Sequence, residues 1–373
     1  MRLLVHGALA VDAEGVRDDA WVLCSEGRIE DVGTGSTWPR GAGNEEVDAT
    51  GLTLVPGFLD LHAHGGGGFG YDGGDVLAGL AAHRRHGTAA SLVSLASASM
   101  PVLAEQLRRI GALAAGHPEI LGVHVEGPFL SPARRGAHDP EALVPPTAEH
   151  VDRLLEAGGG VLRMVTIAPE LPGALDAISR LSAAGVVVAV GHTEADYRLT
   201  REAFERGARV LTHTFNAMPG IAAREPGPVL AAADDDRVTL ELILDGIHVS
   251  AAAARMLFEL APGRVALVTD AMAAAAAGDG SYRLGSLDVT VDGGRAVVVG
   301  TGTLAGSTLT QDAAVRRAVL ELGLEPAVAV AAATSAPAAA LGLAHRGSLR
   351  PGAAADLVLL DEEWRVARVI SGR

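Results

Sequence analysis

The sequence predicts an α/β fold: a closed (β/α)8 barrel of the TIM type, with a small β-sandwich domain formed from both chain termini. Three observations lead there. Eight apolar, β-type runs follow one another through the middle of the chain, most of them trailed by a helix-compatible segment. Both ends are instead rich in short strands and turns. Several of the middle runs finish on a histidine or a carboxylate, and a parallel barrel keeps its chemistry at the carboxyl ends of its strands.

Residues 1–54 and 345–373 are assigned to the small β domain. Leu3-Leu-Val5, Ala20-Trp-Val-Leu23 and Arg28-Ile-Glu-Asp-Val32 read as strands separated by Asp-, Glu- and Gly-containing corners. Segments 355–360 and 364–370 read the same way, and no chemistry is assigned to either end. Residues 55–344 are assigned to the barrel. Its expected strands are 57–64, 89–96, 120–126, 162–168, 186–191, 210–213, 239–246 and 265–270, with 75–86 and 195–206 among the helices. Segment 282–299 alternates around Asp292-Gly293-Gly294 and predicts a β-hairpin inserted near 282–300, after the eighth strand. Segment 326–343 is uncharged, but Thr334, Ser335 and Pro337 divide it into two short helices rather than one membrane span.

Composition narrows the function classes. At 373 residues with 49% apolar content, the chain has room for one barrel and a minor domain around a large core. Aromatics are 3%, so that core is built from Ala, Val and Leu. A net charge of −15 argues against nucleic acid or an anionic membrane as partner, while leaving room for one local phosphate pocket. Cys24 is the only cysteine, which excludes an intrachain disulfide. The first twelve residues, interrupted by His6 and ended by Asp12, do not read as a signal peptide, so a cytoplasmic location is expected. All 30 basic residues are arginine. Without lysine there is no Schiff base, no Walker lysine and no carboxylated lysine bridging two metals.

The candidate chemistry lies at strand ends. Alternation puts His62 and His64 on one face, followed by the flexible Gly65-Gly-Gly-Gly68; alone, the pair also fits two surface histidines. Glu126, His192 and His213 each end a further expected strand. Imidazole and carboxylate ligands that leave one position open are the pattern of a catalytic, zinc-type centre. Asp270 ends the eighth strand: beside such a centre it can take a proton from water and pass it to a leaving amine, or it can simply cap a following helix. His138, in Arg134-Arg-Gly-Ala-His138, fits either a second electrophile or a solvated loop histidine. His248 with Arg224 suits a phosphate dianion, and a surface ion pair of Arg224 with Glu225 suits the same residues.

Taken together, several stretches resemble the N-acetylglucosamine-6-phosphate deacetylases of the amidohydrolase superfamily. They include Pro56-Gly-Phe-Leu-Asp-Leu-His-Ala-His64, His124-Val-Glu-Gly-Pro-Phe129, Arg135-Gly-Ala-His-Asp-Pro140, Gly191-His-Thr193 and His213-Thr-Phe-Asn-Ala-Met-Pro219. Arg224-Glu-Pro-Gly227, Asp245-Gly-Ile-His248, Val268-Thr-Asp-Ala-Met272 and Gly302-Thr-Leu-Ala-Gly-Ser307 continue the series in family order. The resemblance implies a divalent metal held by Glu126, His192 and His213, with His62 and His64 for a second ion. Zinc is the first choice and iron, cobalt or manganese the alternatives, with one or two ions per subunit. It implies Asp270 as general base and then acid, and His138 as the group that helps polarise the acetyl carbonyl. Ala137, Asn216, Ala217, Asp245, Gly246, Ile247, His248, Leu304, Ala305 and Gly306 would contact the sugar phosphate. Arg224 would reach the neighbouring active site of a homodimer. Thr214 and the 221–223 stretch depart from the bulkier residues usual in the family.

The expected reaction is therefore hydrolysis of N-acetylglucosamine 6-phosphate to glucosamine 6-phosphate and acetate. The partner is a small phosphosugar, with no nucleic acid and no membrane. One alternative is an amidohydrolase acting on another N-acyl or cyclic amide. A second is a non-catalytic barrel that binds metal or sugar phosphate, against which the full set of candidate ligands together with Asp270 argues.

Overall fold

In the computed structural model, which describes residues 2–38 and 44–371, eight parallel strands form one sheet. They are β1 (Phe58–Asp60), β2 (Thr88–Leu95), β3 (Ile120–Glu126), β4 (Leu162–Ile167), β5 (Val187–Val190), β6 (Val210–Leu211), β7 (Thr239–Ile243) and β8 (Val265–Val268). Between them run α1 (Val76–Arg85), α2 (Met100–Ala114), α3 (Ala148–Gly158), α4 (Ala174–Ala183), α5 (Tyr197–Glu205), α6 (Gly227–Ala233) and α7 (Ala251–Leu260). Helix α8 (Gln311–Leu320) follows β8 after an insertion. The strands are buried on both faces, which is why they read as near-continuous Val, Leu, Ile and Ala runs. The helices bury one stripe. On α5 that stripe is Thr200, Ala203 and Phe204, and the Asp196 side chain accepts the N–H of Leu199 to start the helix.

Strands β8 and β1 share no ladder, yet the barrel is closed. The Gln311 side-chain amide donates to the carbonyls of Leu59 (3.3 Å) and Leu267 (2.9 Å), one on each strand. The Thr269 hydroxyl donates to the Asp60 carboxylate at 2.6 Å. Just beyond, the Asp270 N–H donates to the His62 carbonyl (2.8 Å) and the His64 N–H to that of Ala271 (2.7 Å). Burial pushes the Asp60 carboxyl up to about 6, against the hydrogen bonds from Thr269 and His62. The segments that seal the barrel also carry three of the candidate site residues.

Several strands stop short of their expected ends. β1 ends at Asp60, β6 spans Val210–Leu211, and β8 ends at Val268, so His62, His64, His192, His213 and Asp270 all lie just past the ladder. The physical reason is backbone conformation. His192, His213 and Asp270 have φ of 48°, 27° and 47°, in the left-handed region, which a strand ladder cannot continue through. Glu126 is the last residue of β3, where it was expected.

The termini build a seven-stranded sheet in the order Val366–Ile370, Leu357–Leu360, Thr53–Pro56, Arg2–Asp12, Gly15–Ser25, Arg28–Thr34, with Glu45–Asp48 also paired to Arg2–Asp12. Leu54 faces Leu359 across the antiparallel pair that joins the two ends of the chain. The insertion after β8 is one strand larger than a hairpin: Gly280–Leu284, Leu287–Asp292 and Arg295–Val298 form an antiparallel meander. Its second turn runs through Gly293 and Gly294. Pro326–Ala333 and Ser335–Ala340 are two short helices divided at Thr334. Among the described residues, no helix is long and apolar enough to cross a membrane.

Candidate active site and metal centre

The Glu126 carboxylate stands at the centre of the barrel mouth. Its Oε1 lies 3.0 Å from His192 Nε2 and 3.1 Å from His213 Nε2. Its Oε2 lies 3.1 Å from His64 Nε2 and 3.3 Å from His138 Nε2. Two buried groups able to hold a metal ion result, His62–His64–Glu126 and Glu126–His192–His213, sharing Glu126. Within them, His192 and His213 Nε2 are 2.9 Å apart, and His62 and His64 Nε2 are 3.1 Å apart.

The donor set fits a divalent cation. His192 Nδ1 donates to the Arg134 carbonyl at 2.8 Å, which leaves its Nε2 as a bare lone pair. His62 Nδ1 donates to Glu241 Oε2 at 3.1 Å, which turns its Nε2 toward His64 and Glu126. Nitrogen lone pairs and carboxylate oxygens converging in a buried space repel one another unless a cation or protons lie between them. Burial alone would raise the Glu126 carboxyl, but attraction to the His62 and His138 rings and the hydrogen bonds from His138 and His192 hold it well below the usual carboxylate range. Glu126 is therefore held in the ionised form, the form in which a carboxylate can ligate a metal.

His138 is held in the opposite tautomer. The Ser97 N–H donates to His138 Nδ1 at 3.2 Å, so the ring proton sits on Nε2, facing Glu126. Burial lowers the His138 pKa, against the pull of Glu126, and favours the neutral ring. Ser97 comes this close because residue 127 is glycine: a Cβ there would stand 2.2 Å from Ser97 Oγ. Asp270 Oδ1 lies 3.5 Å from both His62 Nε2 and His64 Nε2. Asp270 caps no helix, because α8 begins only at Gln311.

A cavity of about 370 Å³ opens above these groups. Its floor holds His64, Glu126, His138, His192, His213 and Asp270, and its walls include Ala137, Asn216, Ala217, His248, Leu304 and Gly306. Gly306 (φ +59°) is a close approach: a Cβ there would meet the Asp270 carbonyl at 2.7 Å. Asp245 orients His248, accepting from its Nδ1 at 2.7 Å and from the Ile247 and His248 amides at 2.8 Å each. Burial opposes both charges, but their mutual hydrogen bond and attraction lower the Asp245 pKa and raise that of His248.

Other expected residues lie off the cavity lining. His62 is buried beneath it, Asp245 is hydrogen-bonded to His248, and Gly246 and Ile247 are exposed to solvent. Ala305 is buried in the core of the insertion sheet, and Arg224 is solvent-exposed.

Four residues given no role in the sequence reading support the centre: Glu241, His124, Ser97 and Arg134. Glu241 stands alone among apolar residues in Thr239-Leu-Glu-Leu-Ile243, a strand buried on both faces. A carboxylate there needs partners, and that was the available signal. His124 precedes Glu126 by two and therefore shares its face. It links Ser94 Oγ (3.0 Å) to Thr166 Oγ1 (2.8 Å), which contacts Thr212 Oγ1 at 3.0 Å. Burial and the neighbouring His62 push His124 well below the ordinary histidine range. Ser97 and Arg134 act through the backbone, which carries no residue signature.

The family model described as amidohydrolase family matches residues 53–371. The chain belongs to the amidohydrolase family. Within it, this amidohydrolase is 39% identical over 359 residues to an N-acetylgalactosamine-6-phosphate deacetylase of Escherichia coli O157:H7, covering 94% of each chain. It is 37% identical to the N-acetylglucosamine-6-phosphate deacetylase of Bos taurus, covering 100% of this chain and 93% of that one. Among solved structures it resembles a variant of the Mycobacterium smegmatis N-acetyl-D-glucosamine-6-phosphate deacetylase in complex with N-acetyl-D-glucosamine 6-phosphate. The identity is 42% and the TM-score 0.94, covering 100% of this chain and 98% of that one.

Proposed function

We propose that this amidohydrolase hydrolyses the acetamide of N-acetylglucosamine 6-phosphate to glucosamine 6-phosphate and acetate, in amino-sugar catabolism or cell-wall recycling. One observation carries the reading. A proton acceptor, Asp270, and a fixed N–H donor, His138, face the same Glu126-centred histidine cluster in a cavity that also holds His248. The relatives named above supply the substrate class. Glu126, His192 and His213 would hold a divalent ion, and His62 and His64 with Glu126 a second; zinc is preferred over iron, cobalt or manganese. When bound, the ion supplies Lewis acidity to the amide carbonyl and the attacking water.

The chain's own groups do the rest. Asp270 Oδ1 takes a proton from the attacking water and returns it to the departing amine nitrogen. His138 Nε2–H donates to the carbonyl oxygen as negative charge develops there, an interaction worth about 3 kcal/mol at comparable sites. Ala137, Asn216, Ala217 and the 304–306 backbone border the sugar. His248 meets the phosphate, completed by Arg224 from the neighbouring subunit of a homodimer, with Asp245, Gly246 and Ile247 shaping that turn. A cytoplasmic setting suits a phosphorylated substrate.

The test is acetate release from the 6-phosphates of N-acetylglucosamine and N-acetylgalactosamine, and from unphosphorylated N-acetylglucosamine. Metal-stripped protein is re-supplied with single divalent ions. Release from the phosphorylated sugars that depends on the ion supports the proposal, and the ratio of the two epimers names the preferred one. Equal turnover of the unphosphorylated sugar, or an Arg224→Ala variant with unchanged kcat/KM, favours a different N-acyl substrate.

A further inference from the structure

We propose that Glu241 is a positioning residue that engages His62 Nδ1 and so turns Nε2 toward His64 and Glu126 as the metal-binding nitrogen, and that the His62–His64–Glu126 group binds a divalent ion in a Glu241-dependent way. This rests on the reading that these groups hold divalent ions.

The two groups share Glu126 but are braced differently. Behind His192 stands a neutral backbone carbonyl, that of Arg134, at 2.8 Å. Behind His62 stands a full carboxylate, Glu241 Oε2, at 3.1 Å. Both His62 and Glu241 are fully buried. A carboxylate accepts the Nδ1 proton more strongly than a carbonyl and raises the basicity of the opposite ring nitrogen. Geometry restricts Glu241 to this task. It projects from β7 into the barrel interior beneath the cavity and does not line it, so it is not placed to touch substrate. The same Oε2 accepts the His213 N–H at 3.1 Å. That second contact is to backbone, and it ties the β6 end to β7 without touching the His213 ring. The two ion-binding groups should therefore respond unequally to loss of the Glu241 charge.

The experiment titrates the full-length, metal-stripped protein with Zn²⁺ alone by calorimetry. The His62→Asn/His64→Asn double variant identifies which binding event belongs to that group. Glu241→Gln should weaken that event by about 10–100-fold, the usual consequence of removing a carboxylate behind a ligating histidine, and leave the other unchanged. Independently, ¹⁵N resonances of His62 in the Zn²⁺-loaded wild type should show a protonated Nδ1 and a metal-shifted Nε2 that carries no proton. This arm stands even where Glu241→Gln fails to fold. In the loaded protein, a His62 that ligates through Nδ1 with its proton on Nε2 overturns the inference, as does an unchanged affinity in Glu241→Gln or an equal weakening of both events. Wild-type protein that binds no Zn²⁺ overturns the metal reading and this inference together. Two wild-type events with an unaffected Glu241→Gln variant overturn this inference only.

Discussion

The barrel mouth and the terminal sheet draw on the same small apolar residues but treat polar groups and backbone strain in opposite ways. The core of the terminal sheet is apolar, centred on Leu3, Val5, Val22, Ile29, Leu54 and Leu357. Left-handed residues with side chains occur in that region too, at Asp19, Glu26 and Trp364, but they sit outside the core. At the mouth, buried His192, His213 and Asp270 adopt that conformation, at a cost of order 1 kcal/mol each. Five buried histidines surround one buried carboxylate there, whereas the sheet buries Asp12, which accepts the Leu349 N–H at 2.9 Å. The difference shows where the fold tolerates strain and desolvated charge: where buried side chains converge on one carboxylate at the barrel mouth.

The contrast predicts that mutations at the mouth abolish turnover and leave stability intact, while mutations in the sheet do the reverse. Asp270→Asn is the sharpest case. Turnover should fall about 10²–10⁴-fold, the usual contribution of a positioned general acid–base. Calorimetry should still find divalent-ion binding, and Tm should stay near wild type. Near-normal kcat in that variant breaks the mechanism. In the sheet, Ile29→Ala should cost about 2–5 kcal/mol of unfolding free energy. Denaturant unfolding and steady-state assays would read the two effects, and kcat should be unchanged.

A smaller effect tests the edge of the mouth. The folded pKa of His248 is raised through Asp245, so their attraction stabilises the fold fully below the unfolded histidine pKa, about 6.5. That contribution is lost as pH rises through the higher folded value. The stability gap between wild type and His248→Gln should therefore narrow with rising pH in unfolding experiments. KM for the phosphorylated substrate should rise over the same interval, and a KM flat across it removes His248 from phosphate binding. The smallest effect concerns Cys24, whose thiol burial pushes up to about 12. Iodoacetamide should leave native protein unmodified at neutral pH and label it in denaturant. Rapid native labelling contradicts the packing of the terminal sheet.

Much of the candidate centre was legible in the chain because its residues sit beside recognisable strands. Glu126 closes the run from Ile120, and His192 and His213 each follow an apolar β-type run. The supporting contacts were not legible, since they join distant positions. His62 and Glu241 are 179 residues apart, and Ser97 and His138 are 41 apart. The insertion was read as one hairpin because the Gly285-Ser286 turn, which separates Gly280–Leu284 from Leu287–Asp292, lay inside a single alternating run.

By itself, the sequence determined the eight-strand α/β pattern, the terminal strands and the identity of the ligand-type side chains. Periodicity and residue chemistry are local properties, readable along a chain. Only the tertiary structure decided how the β8–β1 seam is sealed, which partner each ring nitrogen of His62, His138 and His192 meets, and that Glu126 stands between two groups. Those outcomes depend on which hydrogen-bond partner lies about 3 Å from each atom once the barrel closes, and that partner comes from a different strand or loop.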